Sequence, residues 1–571
     1  MSTPTRDRTT TRDRSRPSRP RRRLAVAAVS VVAALGLAAC GSGSGGSAAA
    51  DGGGAGGATS GGGTPVHGGR LKLAFWNDLQ ACIDPNQVYW IESRSLDRNI
   101  ADSLTDQDPK TGKIVPWLAS SWTVNADATE YTFKLRQGVT FSDGTKLDAA
   151  AVKTAYDGTR ALGPRSTLGV TYLAGYKQTT VVDPSTVKVE FSTPNAAFLQ
   201  ATSTTTLAIL SPATYRETPE ARCAGKIVGS GLFTLDSYSA AKSAKLTRRT
   251  GYAWPSSLVA NRSEAYLDGI DVSYIAEDSV RVGSLTNGTI DIAWPRQPIS
   301  SADQDVIKRS GGVIETRALP GISTNLYPNA TAGHPLSDVA VRHAVYKALD
   351  LPSYTKTIFW DGYPVAKSPL TSTTPYVADE TAKLTHDPAG AAKLLDGAGW
   401  TLGSDGYRHK GGAKLTLVYL ANAASPGDQL IQDQLKKVGI DYQIKVVTAA
   451  QLTPTATAGN YDLVPGYLTR ADPSVLGSLL NAAGSTGYTA KYSQDAATAA
   501  KVSELFGRGL STVDPTARAG VYKELQDYLI DNGLVFPIAD RLQVIGLTKK
   551  VHGFAWTSES FLRANDLWLA K

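Results

Sequence analysis

Tyr131-Thr132-Phe133-Lys134-Leu135-Arg136-Gln137-Gly138-Val139-Thr140-Phe141-Ser142-Asp143-Gly144 is the stretch from which the fold is read. Tyr131, Phe133, Leu135, Val139 and Phe141 share one face at a period of two, which predicts a strand or hairpin packed on one side. Ser142-Asp143-Gly144-Thr145 supplies turn chemistry, and Asp148 is placed to cap a helix whose inner face holds Val152, Ala155 and Tyr156. The alternation recurs further on. Ser337 or Asp338 starts a helix with Val341, Ala344, Val345, Ala348 and Leu349 at the spacing of a buried stripe. Asp387-Pro388 opens another, through Leu394 and Leu395 to Gly399. Ile431, Leu435 and Val438 mark a third, ending at Gly439 and followed at once by the strand pattern Ile440, Tyr442, Ile444, Val446. Pro515 to Asn532 reads as a long helix through Val521, Tyr522, Leu525 and Leu529, stopped by Gly533. Strands separated by helices predict an α/β body.

Several blocks in this body resemble the extracellular solute-binding proteins of family 5, the receptors of oligopeptide and dipeptide ABC importers. Pro116-Trp117-Leu118-Ala119-Ser120-Ser121-Trp122 together with 131–144 is similar to the family signature. Gly229-Ser230-Gly231-Leu232-Phe233 resembles its GTGPF turn, Tyr266-Leu267-Asp268-Gly269-Ile270 its YLDGI, and 284–293 its LxxGxxDIA segment. Asp338 to Asp350, Asp387 to Trp400 and Asp472-Pro473 match three more. The resemblance implies an α/β, two-lobed periplasmic-binding-protein-like fold of type II with an extra subdomain, hinged and closing on a ligand like a trap. The expected divisions are lobe I at 66–110, 225–318 and 535–571, the extra subdomain at 111–224, and lobe II at 319–534. Hinge crossings are expected near Leu319 to Ile322 and Asn532 to Pro537. The implied partners are ABC permease subunits with a separately encoded ATPase. A surface receptor that reports a solute without importing it is the alternative on the same scaffold.

Outside the body, residues 1–39 read as a lipoprotein signal peptide. Nine arginines and two aspartates precede Leu24 to Ala39, 16 largely apolar residues, short of the roughly 20 that a spanning helix needs. Leu37-Ala38-Ala39-Cys40-Gly41 resembles a lipobox, which makes Cys40 the expected lipidation site; an uncleaved anchor with a plain thiol is the other reading. Residues 1–39 carry 9 − 2 = +7 of the formal +8, so the remainder is nearly neutral and nucleic acid is not expected as a partner. Residues 40–65 are expected to tether the body, within a run (Gly41 to Gly69) that has 14 glycines in 29 residues and cannot bury enough surface to order itself. The expected location is the outer face of the bacterial cytoplasmic membrane, lipid-anchored, as a monomer. Cys82 and Cys223, an even pair in an oxidising compartment, are expected to form a disulfide, with two buried thiols as the alternative.

No cofactor or metal is expected. The six histidines are scattered and none pairs at ligand spacing. Gly112-Lys113 and Gly225-Lys226 lack the glycine that a phosphate-binding loop places five residues earlier. There is no GxSxG and no HExxH, so the chain is not expected to be an enzyme. Candidate ligand contacts are the aromatics Trp76, Tyr89, Trp294, Tyr327, Trp360, Tyr467 and Trp556 at predicted strand ends or loops, each with ordinary packing as its alternative. Peptide receptors of the family place an aspartate shortly before Asp-Pro to pair with the ligand's amine. The corresponding Gly466-Tyr467-Leu468-Thr469-Arg470-Ala471-Asp472-Pro473 has Thr469 or Arg470 there instead. Arg470 suits a carboxylate or phosphate, or is a solvated loop residue; Asp472 accepts an amine or caps a helix.

Overall fold

The computed structural model describes residues 63–481, 489–492 and 495–571; the expected signal peptide, Cys40 and the tether as far as residue 62 lie outside the described residues. Two sheets organise the chain. In the first, the strands lie in the order Val313–Ala318, Leu542–Leu547, Ile292–Trp294, Arg70–Phe75, Gly269–Tyr274, Ser243–Arg248, Phe233–Ser239. Arg70–Phe75 runs parallel to both Gly269–Tyr274 and Ile292–Trp294, and the remaining pairings are antiparallel. The second sheet has the order Asp441–Val446, Thr416–Ala421, Leu463–Gly466, Thr324–Pro328, Phe536–Ala539. Each is the centre of one lobe.

Alternating side chains bury both faces of the first sheet, as mixed sheets covered on two sides require. Leu73 and Phe75 enter the large core on one side, while Ala74 packs with Val282, Leu285, Ile307 and Val544 on the other. The large core runs on without interruption into a separate four-stranded antiparallel sheet, Ala119–Val124, Glu130–Leu135, Thr186–Phe191, Tyr176–Asp183. There Tyr131, Phe133 and Leu135 point inward, and Val139 and Phe141 follow them into the core beyond the end of the strand. Phe198 meets Tyr131, Phe133, Tyr156 and Phe191 edge-on at 4.7 to 6.3 Å, the favoured arrangement of aromatic quadrupoles.

The helices carry their own start signals. Asp148 accepts from Ala151 N ahead of Ala149–Ala161, Asp338 from Ala340 N ahead of Val339–Lys347, Asp387 from Gly390 N ahead of Pro388–Gly397, and Asp514 from Ala517 N ahead of Pro515–Asp531. Each satisfies one of the amide donors left over at a helix start. Cys82 and Cys223 are joined in a disulfide closing a span of 141 residues.

The second hinge crossing lies later than the expected Asn532 to Pro537. Phe536–Ala539 pairs with Thr324–Pro328 in the second sheet, and only Leu542–Leu547 joins the first. The chain therefore changes lobes at Asp540-Arg541, and lobe I does not resume at 535. Pro537 sits inside a buried edge strand, where a missing donor costs nothing. The first crossing follows Ala318, and the two run side by side, with Leu319 N donating to Arg541 O at 2.7 Å.

Candidate functional site between the lobes

The parallel strands of the first lobe end together: Phe75 is in register with Tyr274 on one side and with Trp294 on the other. Ligands of open α/β sheets bind outside such carboxyl ends. Trp76 and Pro295-Arg296 leave the sheet at this edge, and Leu542–Leu547, antiparallel to Ile292–Trp294, begins there, so Arg541 stands beside them. Gln543 Nε2 fixes the arrangement by donating to Pro295 O at 2.9 Å.

From the second lobe, Leu463–Gly466 ends at the same opening and is followed by 467–472. That segment lies against the first hinge crossing: Ile322 N donates to Leu468 O at 2.8 Å and Arg470 N to Pro320 O at 3.0 Å. Gly321 has φ +121, and a Cβ there would collide with the Leu468 carbonyl. Only glycine allows this approach.

The candidate residues separate into three groups. Those at the opening are Trp76, Tyr89, Tyr467, Thr469 and Trp360. Trp76 Nε1 donates to Glu92 Oε1 at 2.6 Å, Tyr89 is 44% exposed and lies 5.2 Å from Trp90, and Tyr467 is 44% exposed. Thr469 Oγ1 accepts from Arg541 Nη1 at 2.9 Å, and the Arg541 guanidinium lies 4.5 Å from the Tyr467 ring. Trp360 belongs to the second lobe yet also packs against the small first-lobe core. A second group is core. Trp294 and Tyr327 are fully buried, Trp294 against Phe75 and the half-buried Trp556, and Tyr327 in the second-lobe interior. A strand end did not bring these rings to the surface, because Phe75 and Trp556 cover Trp294 and the second-lobe core encloses Tyr327.

Arg470 and Asp472 form the third group, and for both an expected option is corrected. Asp472 is not free to take an amine: its two oxygens accept from Arg518 Nη1 and Nη2 at 2.8 and 2.9 Å, and Oδ1 also caps Ser474 N. Burial alone would raise this carboxyl, but Arg518 outweighs burial and holds it below the usual range. Arg470 is no solvated loop residue. It is 9% exposed, donates to Ser478 Oγ at 3.1 Å and stacks 5.6 Å from the ring of Tyr172, which belongs to the extra subdomain. Burial, with Arg94 nearby, pushes Arg470 down. Arg470 thus joins the lobes, as do Gln107 Nε2 to Ala471 O at 3.2 Å and Ala196 N to Leu510 O at 2.7 Å.

Residues that sequence reasoning missed are Trp90, Glu92, Arg296 and Arg541. The Arg296 guanidinium lies 4.6 Å from the Trp90 ring and 5.2 Å from the Trp76 ring. Burial raises Glu92, partly offset by the Trp76 hydrogen bond and the Arg296 charge. Burial depresses Arg541 to about 10, and Arg296 adds to the effect. Trp294-Pro295-Arg296, a cation directly after a strand, was the one visible signal. The opening thus brings aromatic rings together with the guanidinium groups of Arg296 and Arg541 on its first-lobe and hinge side.

Two lobes joined by paired crossings, with the carboxyl edge of one sheet facing a loop of the other, define a clamshell binding protein. The chain belongs to the bacterial extracellular solute-binding proteins, family 5, whose profile matches residues 113–490. It is 26% identical over 496 residues to the glutathione-binding protein GsiB of Shigella dysenteriae serotype 1, covering 83% of this chain and 89% of the relative. The glutathione-binding protein GsiB of Escherichia coli strain K12 matches to the same extent, 26% over 496 residues with 83% and 89% covered. Among solved structures, NikA from Brucella suis in complex with Fe(III)-EDTA superposes with a TM-score of 0.76 at 23% identity, covering 88% of this chain and 100% of the other. DppA from Helicobacter pylori in complex with the peptide STSA gives a TM-score of 0.67 at 22% identity, covering 89% and 99%. These likenesses bear on the fold.

Proposed function

We propose that this chain is the membrane-tethered receptor of an ABC importer, capturing a peptide-like solute between its lobes and delivering it to permease subunits driven by a separate ATPase. The observation that carries this reading is the cleft itself. Trp76 and Trp90 flank Arg296 on one lobe, and hinge residue Arg541 contacts Tyr467 and Thr469 of the other. The curated relatives named for glutathione, a small peptide, support a peptide-like solute. The absence of the family aspartate, with Thr469 or Arg470 in its neighbourhood, argues against recognition centred on a free amine in the second lobe.

A solute that touches both lobes favours the closed form by the difference in its affinity for closed and open states. The closed shape is then what a permease reads. Cys40 lipidation and the glycine-rich tether would keep the body within reach of the membrane, and no helix among the described residues is long and apolar enough to cross it. No step calls for covalent chemistry, which accords with a binder rather than an enzyme.

The test is to unfold the purified full-length protein and identify released small molecules by mass spectrometry, then to add each back. At 100 times its dissociation constant a true ligand stabilises the fold by about 2.7 kcal/mol. If nothing is released and no peptide or other small solute raises the melting temperature, the receptor reading fails.

A further inference from the structure

Arg296 and Arg541 are cations at the cleft that the fold leaves without a direct ion pair; Glu92 acts on Arg296 and Asp540 on Arg541 only at longer range. Among the described residues no carboxylate lies within ion-pair distance of either, whereas Arg94, Arg98 and Arg222, buried in the same lobe, each have one at 2.5 to 2.8 Å. Of the five donors a guanidinium carries, Arg541 engages Nη1 with Thr469 Oγ1 and Arg296 engages none within the described residues. Both planes are instead held by aromatic faces, Arg296 by Trp76 and Trp90 and Arg541 by Tyr467. Strand register puts the two at one edge of the first sheet, with the Gln543 to Pro295 bond locking their segments together.

Two guanidinium groups brought near each other as water leaves, with Glu92 and Asp540 offsetting part of their charge but neither paired directly with them, oppose closure of the cleft. An oxyanion between them reverses that sign, because guanidinium forks match carboxylate and phosphate geometry and such bonds are about twice as strong as neutral ones. We propose that Arg296 and Arg541 form an oxyanion subsite that takes a carboxylate of the captured solute, so that an anionic end of the ligand sets both affinity and closure. This rests on the solute-binding reading and narrows its ligand class. Arg541 is a hinge residue already bonded to Thr469 of the second lobe, so charge neutralised there acts where the lobes turn.

The experiment measures binding to the full-length protein, freed of co-purified solute, by calorimetry. Probes are glutathione and its diethyl ester, trialanine and trialaninamide, and inorganic phosphate. The free acids are expected to bind about tenfold or more tightly than their neutral derivatives. Arg541→Gln and Arg296→Gln, each checked for an unaltered fold by circular dichroism, should shrink that preference to about threefold or less, and Arg541→Lys should keep part of it. Phosphate binding lost in both Gln variants, where the peptides do not bind, would assign the oxyanion to a phosphoryl group. Equal affinity for acid and neutral derivative, or a preference that survives both Gln variants, overturns the subsite. So does the absence of any binding by these probes at about 1 mM. In that last case, release of a neutral solute from the purified protein would leave the receptor reading standing and remove the oxyanion subsite alone.

Discussion

Asp472→Asn separates a structural carboxylate from a ligand-binding one. Asp472 and Arg518 are 8% and 7% exposed and share two hydrogen bonds. Removing one partner of a buried pair costs about 3–5 kcal/mol, because the other charge stays buried and unpaired. Asparagine still caps Ser474 N as well as aspartate does, and its one carbonyl still accepts from one guanidinium nitrogen. The expected loss at pH 7 is therefore the lower bound, about 3 kcal/mol. In a urea titration with a slope of about 3 kcal/mol per molar, the midpoint falls by about 1 M. Solute affinity should not change, since both carboxylate oxygens face Arg518. Apolar replacement of both residues, Asp472→Leu with Arg518→Met, should recover most of the loss apart from about 1 kcal/mol for the cap. The pH dependence has a definite sign. The folded Asp472 carboxyl lies below its ordinary value, so the pair's contribution is present above the unfolded value of about 3.9 and disappears as pH falls through the folded one. The two proteins should thus converge in strong acid. An unchanged urea midpoint combined with a tenfold loss of solute affinity would refute this assignment and return Asp472 to the ligand.

Three more outcomes are expected. Thiol titration of the denatured protein should find neither Cys82 nor Cys223 free, and reduction should cost about 2–4 kcal/mol because the bridge closes a span of 141 residues. Asp102 sits fully buried, and burial raises its carboxyl to about 7 against the hydrogen bonds of Trp254 and Ser230. Its folded value exceeds its unfolded one, so ionisation removes stability between about pH 4 and 7; relative to Asp102→Asn, the wild type should lose up to about 4 kcal/mol across that window and no more above it. A flat difference between the two melting curves from pH 4 to 7 would contradict it. Gly321→Ala places a methyl against the Leu468 carbonyl at a positive φ and should cost at least about 2 kcal/mol by urea denaturation while loosening closure; an unaltered midpoint would show that the crossing relaxes freely.

What could be read from the sequence follows the range of the interactions involved. Asp148, Asp338 and Asp387 announce their helices because the groups they cap lie two or three residues away. Tyr131, Phe133 and Leu135 announce a one-sided strand because alternation is a local consequence of the pleat. The site obeys no such rule. Asp472 carries the same local signature whether it awaits a ligand or a side chain, and its partner, Arg518, comes 46 residues later on a helix whose register nothing nearby reveals. Arg470 looks like a loop cation until Tyr172, from another subdomain, closes over it. Arg296 and Arg541 are 245 positions apart and become neighbours through the pairing of Ile292–Trp294 with Leu542–Leu547. That pairing also explains the misplaced crossing, since Phe536–Ala539 and Leu542–Leu547 are both apolar strands and only their partners say which sheet each joins. A cation that no local carboxylate balances is therefore informative only after the fold has shown which carboxylates are far away.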